Sequence, residues 1–106
     1  MNIQEAREIL EKQDIQLQKI HKAEELYKEN KDIENLIAFW ENIWENGGLL
    51  FNGSYWTFRL PDLYIKEKDY DKALCILEKI NNPHYEDKKI SYIKKIEKLK
   101  KKNKGE

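Results

Sequence analysis

A twenty-residue segment of this chain recurs 37 positions later without a gap, and that recurrence constrains the fold more than any other feature. Residues 25–44 overlay residues 62–81, with identity at Leu26/Leu63, Tyr27/Tyr64, Lys31/Lys68, Asp32/Asp69, Glu41/Glu78 and Ile43/Ile80. Most of the remaining pairs match apolar with apolar or polar with polar. A period in the 30s, with helical patterning in each copy, marks an array of stacked helix hairpins, since one hairpin cannot bury its apolar face alone. Such arrays present surfaces to partners far more often than they carry out chemistry.

Composition points the same way. Only 4 Gly and 2 Pro interrupt 106 residues, and the abundance of Leu, Ile, Glu and Lys favours helix over sheet. The length suits a single domain over residues 1–100, followed by a Lys-rich disordered tail over 101–106. No stretch approaches the roughly 20 apolar residues that span a bilayer, and the polar start Met1-Asn2-Ile3-Gln4-Glu5 is unlike a secretory signal. A lone cysteine, Cys75, cannot form an internal disulfide, so the expected location is the cytoplasm. A composition rich in Lys, Glu, Asn and Ile is common in AT-rich bacteria and their phages, which is an association and not a mechanism.

The zero net charge conceals an asymmetry. Residues 1–53 carry 6 basic and 11 acidic side chains, whereas residues 54–106 carry 14 and 9. Residues 88–106 alone hold nine Lys against two Glu. Such a run reads either as a solvated helix face or as a contact for nucleic acid or an acidic partner.

Five helices are expected. Asn2 and Glu5 form a plausible capping box, and Ile3, Ala6, Leu10, Gln13, Leu17, Ile20, Glu24 and Tyr27 follow a three-four spacing that predicts one helix over residues 2–30. Asp14 could instead cap a second helix and let residues 2–13 fold back. Asp32 caps the next helix, through Leu36, Trp40 and Ile43, and Gly47-Gly48 ends it. The third helix, capped by Ser54, runs from Tyr55 to about Lys68 with a kink near Thr57 imposed by Pro61. Asp69 caps the fourth, and Asn81-Asn82-Pro83 separates it from a fifth. The fifth does not continue the repeat, since Lys94, Lys95 and Lys98 fall where a third copy would be apolar; it reads as a terminal cap with a polar outer face.

Tyr64, Ala73 and Leu77, with Tyr70 between, and Tyr27, Leu36 and Trp40 in the first copy, give a spacing that resembles the tetratricopeptide repeat. The resemblance covers roughly residues 17–82. Leu36 stands where that family has a small residue, and Pro61 where it has a small residue that is often glycine. The resemblance implies an all-α fold: a short right-handed stack of antiparallel helix hairpins, with a long N-terminal helix and a C-terminal capping helix. It also implies a scaffold for binding peptides or proteins, hence an adaptor or regulator. In that family the inner helices line a concave groove. The positions matching it are Tyr55, Phe58, Asp62 and Ile65 in the second copy and Gln18, His21, Glu25 and Lys28 in the first. An apolar stripe facing a polar one suits an amphipathic segment; alternatively the terminal helix, with Tyr92 and Ile96, closes over the apolar stripe.

Two further surfaces stand out. The loop Leu49-Leu50-Phe51 is apolar where a polar loop would be ordinary, and either plugs the hairpin ends or makes a contact. A helix over 2–30 is about 42 Å long and its partner over 32–46 about 22 Å, so Ile3, Ala6, Ile9 and Leu10 overhang the hairpin with an apolar face. A second copy covering that face would make a homodimer.

Catalysis has little support. His21 and His84 lie at no metal-ligand spacing, Cys75 sits mid-helix as a structural residue, and Ser54 and Ser91 read as cap and surface hydroxyls. Glu24-Glu25 and Asp69/Asp71 read as caps and solvated faces, and Gly47-Gly48 lacks the spacing of a phosphate loop. The expectation is a protein-interaction module with no catalytic, cofactor or metal site, and the alternative is a nucleic-acid-associated regulator using the Lys-rich terminal helix.

Overall fold

The computed structural model describes residues 2–104. Six α-helices form among them and no strand: α1 (Ile3–Asn30), α2 (Ile33–Glu45), α3 (Ser54–Thr57), α4 (Arg59–Lys66), α5 (Tyr70–Glu78) and α6 (Glu86–Lys104), with a 3-10 turn at Pro83–Tyr85 before the last. The chain divides into two compact units, Met1–Gly53 and Ser54–Glu106. The division falls inside the stretch read from sequence as one domain; the first unit carries a net charge of −5 and the second +5, the positive excess lying in residues 88–106.

The first unit is a hairpin of α1 and α2. Asn2 Oδ1 accepts from the Glu5 backbone N–H at 2.8 Å, satisfying one of the orphan donors of the first turn. The helix then continues through Asp14 to Asn30 without a break. It ends on Lys31, in the left-handed conformation (φ 56°), whose N–H donates to the Tyr27 carbonyl. Asp32 then caps α2, its carboxylate accepting from the Asn35 backbone N–H at 3.2 Å and side-chain amide at 2.6 Å. Gly47 and Gly48, both at positive φ, unwind the far end, and the Gly48 N–H closes on the Ile43 carbonyl at 2.9 Å.

The second unit pairs α4 with α5 and lays α6 along α5. Pro61 has no N–H to give to Thr57, and there the third helix divides: α3 stops at Thr57, and α4 starts at Arg59 with Pro61 in its first turn, where the missing donor costs little. The expected kink is therefore a break, and the five expected helices become six. At the near end of α6, Lys89 Nζ donates to the Ile80 carbonyl at 3.2 Å. At the far end Lys100 Nζ meets Asp71 of α5 at 2.8 Å, so α6 runs antiparallel to α5. The stretch expected as a disordered tail over 101–106 is helical as far as Lys104, and residues 105–106 lie outside the described residues.

The repeat recurs in local geometry. Lys68 takes the same left-handed conformation as Lys31, at φ 61°, and each is followed by an aspartate that opens the next helix. Trp40 and Leu77 are both fully buried, as are Leu36 and Ala73 to within 3%. The copies differ at the cap: Asp69 makes no side-chain capping bond, and instead pairs loosely with Lys72 at 3.6 Å. A left-handed non-glycine residue costs about 1–2 kcal/mol, and glycine gives back about 0.5–1 kcal/mol as unfolded-state entropy. The double substitution Lys31→Gly/Lys68→Gly should therefore stabilise by about 1 kcal/mol and raise the thermal midpoint by roughly 4–8 °C. A lowered midpoint would contradict the shared turn geometry.

Candidate functional site

The N-terminal part of α1 carries an uncovered apolar face. At 100° per residue, Ile3, Ala6, Ile9, Leu10, Gln13 and Ile20 fall within an arc of about 120°. The face changes character at Gln13. Gln13 Nε2 donates to the Leu50 carbonyl at 2.7 Å. Gln16 grips the same loop twice, donating to the Gly48 carbonyl at 3.1 Å and accepting from the Leu50 N–H at 2.9 Å. The loop after α2 thus returns to α1 one turn short of Leu10. Below that point Ile20 is fully buried; beyond it Ile3 is 75% exposed, Leu10 58% and Ile9 43%, while Ala6 is half-buried.

The glutamine pair anchors the Leu49-Leu50-Phe51 loop on α1. Its backbone is pinned to α1 while Leu50 stays 47% exposed and Leu49 and Phe51 are half-buried. Leu50 also edges a recess of about 290 Å³ in the first unit, shared with Ile15, Phe39 and Ile43. Glu24, the other polar residue in the α1 stripe, accepts the buried indole N–H of Trp40 at 3.0 Å. A polar residue on a helix stripe was the visible sign of these bonds, but only the hairpin register identifies their partners.

The stripe expected to line a groove in the second copy is split by the structure. Phe58 is fully buried: Tyr92 of α6 stacks on its ring at 4.8 Å and 18°, Tyr85 meets it edge-on at 6.1 Å, and Lys88 Nζ lies 4.9 Å from its centroid. Asp62 accepts a hydrogen bond from the Tyr92 phenol. Ile65 is half-buried, and Tyr55 alone is largely open, at 63%. The terminal helix therefore occupies the middle of this stripe. In the first copy Gln18, His21, Glu25 and Lys28 are all exposed along α1.

Burial first, and then the Asp62 carboxylate, push the Tyr92 phenol well above its ordinary value near 10. Because the folded state holds this proton more tightly than the unfolded chain, its contribution is complete below about pH 10 and is lost as pH rises beyond it. Tyr92→Phe should thus lose less thermal stability than the parent between about pH 9 and pH 11.5. An identical alkaline loss in both would show that the folded state does not hold the phenol proton more tightly than the unfolded chain.

His21 and His84 are exposed on separate elements, and Cys75 is exposed on α5 rather than packed. Among the described residues no three His, Cys, Asp or Glu side chains lie together as a metal would require, and no helix is long and apolar enough to cross a membrane. Comparison with protein-family models, curated proteins and solved structures finds no match to this chain.

Proposed function

We propose that this chain is a protein–protein interaction module, a small adaptor or regulator of tetratricopeptide-like type, that works through the apolar overhang of α1. One observation carries the reading: Ile3, Ile9 and Leu10 stand exposed on a helix whose own hairpin partner ends short of them. α1 is about 42 Å long and α2 about 20 Å at 1.5 Å per residue, so no element of the first unit reaches these side chains. An amphipathic helix left half-covered has the form of a docking element. The spacing of Tyr64, Ala73 and Leu77, all buried, and the recurrent Lys-Asp turn support the family reading. Phe58 and Asp62 are engaged by Tyr92, which moves the weight of partner binding from the groove stripe to the overhang.

The occupant that fits most simply is a second copy. Two overhangs crossing about a two-fold axis bury the same apolar face on each chain, which is how isologous dimers form. Ile3→Glu/Leu10→Glu should convert the dimer to monomer while leaving the helicity of the hairpin unchanged, since neither side chain is buried in it. Unchanged elution on size exclusion would reject the overhang as the interface.

A further inference from the structure

The lysines of α6 from Lys88 to Lys102 sort into two groups by what they touch. Three serve the fold: Lys88 lies over Phe58, Lys89 bonds the Ile80 carbonyl and Lys100 pairs with Asp71. Five others, Lys94, Lys95, Lys98, Lys101 and Lys102, are exposed and have no hydrogen bond or ion pair to any described residue. At 100° per residue these five fall within an arc of about 120°, and Lys94, Lys95, Lys98 and Lys101 border an open trough along the helix together with Ser91, Glu97 and Lys100.

The fold gives little reason for that arrangement. Like charges three or four residues apart repel by about 0.2–0.5 kcal/mol per pair, and Lys94/Lys98, Lys95/Lys98, Lys98/Lys101 and Lys98/Lys102 are all such pairs. The helix dipole favours cations only in the last turn, whereas Lys94, Lys95 and Lys98 lie upstream of it. A dense polyanion would turn this repulsion into attraction.

Going beyond the protein-binding reading, and independently of it, we propose that the outer face of α6 docks on the phosphate backbone of double-stranded nucleic acid without reading its sequence. From Lys94 to Lys102 the face is about 12 Å long, over which one strand of a duplex offers three or four phosphates. The face has no arginine, the side chain that forks onto guanine or a carboxylate, so it supplies point charges and no base readout. It has no exposed aromatic on which unpaired bases could stack, since Tyr92 is spent on Phe58, which favours duplex over single strand. Insertion into a lipid surface would need apolar side chains among the lysines, but Ile96 is buried and Ile93 and Leu99 are half-buried. Only Ile90, 42% exposed, lies at the border of the arc. Two acidic residues lie near it: Glu97 borders the trough beside Lys94 and Lys101 and offsets one of the five charges, and Asp87 lies about two turns before Lys94.

Fluorescence anisotropy of the full chain with a labelled random-sequence DNA duplex tests this. Between about 50 and 200 mM salt, log K should fall against log salt with a slope near −3. Lys94→Gln/Lys98→Gln/Lys101→Gln, checked for unchanged helicity, should weaken binding at least about tenfold at the lower salt and flatten the slope by about two or more. Lys89→Gln, whose ammonium bonds the Ile80 carbonyl away from this trough, should leave both nearly unchanged. A slope shallower than about −1, an unaffected triple variant, tighter binding to a single strand of equal length, or preference for phosphatidylserine vesicles would each overturn the proposal.

Discussion

Leu77→Ala should cost about 2–5 kcal/mol and Trp40→Ala about 3–5 kcal/mol. Both side chains are fully buried at matching positions of the repeat, so truncation leaves a cavity that neighbouring helices fill only in part. Trp40→Ala also removes the indole donor from Glu24, leaving that half-buried carboxylate one partner fewer. A chain of this length has on the order of 5–15 kcal/mol of stability in total, so either change reaches a large share of it. Chemical denaturation measures both. A loss below about 0.5 kcal/mol at either site, the range of ordinary surface changes, would mean that the two positions are not equivalent core positions.

Phe58→Ala should be nearly as damaging, about 3–5 kcal/mol, whereas Tyr55→Ala, three residues earlier on the same stripe, should stay within about 0.5 kcal/mol. The contrast follows from what each ring meets. Phe58 carries the stacked Tyr92, the edge of Tyr85 and the Lys88 ammonium, and its loss detaches α6 from the start of α4. Tyr55 meets Trp56, its chain neighbour, at 4.7 Å and otherwise faces solvent. Equal costs at the two positions would remove the claim that α6 covers the middle of the stripe.

Helix identity and turn placement were legible in the sequence because they depend on short-range rules. The Lys-Asp dipeptide, the paired glycines and Pro61 act on the backbone within a few residues, and each is found where such rules put it. Asp69 is the exception: it holds the N-cap position, but its carboxylate turns to Lys72 instead of the backbone. Longer-range facts were less visible. Gln13 and Gln16 look like tolerated polar residues on a helix stripe, and their partners lie more than thirty residues away in sequence. Phe58 and Tyr55 have the same helical register and the same aromatic character, and only the position of Tyr92 separates core from surface. Lysine repulsion made a disordered tail reasonable, yet α6 persists to Lys104, where the C-terminal dipole favours cations.

The central claim, that a second copy covers the apolar overhang of α1, is tested most directly by sedimentation equilibrium of the unmodified chain between about 1 and 100 µM, where mass action governs a dimer. The expected result is a weight-average mass that rises with concentration toward twice 12.9 kDa, with the rise absent in Ile3→Glu/Leu10→Glu. A constant mass of 12.9 kDa across the whole range would contradict it.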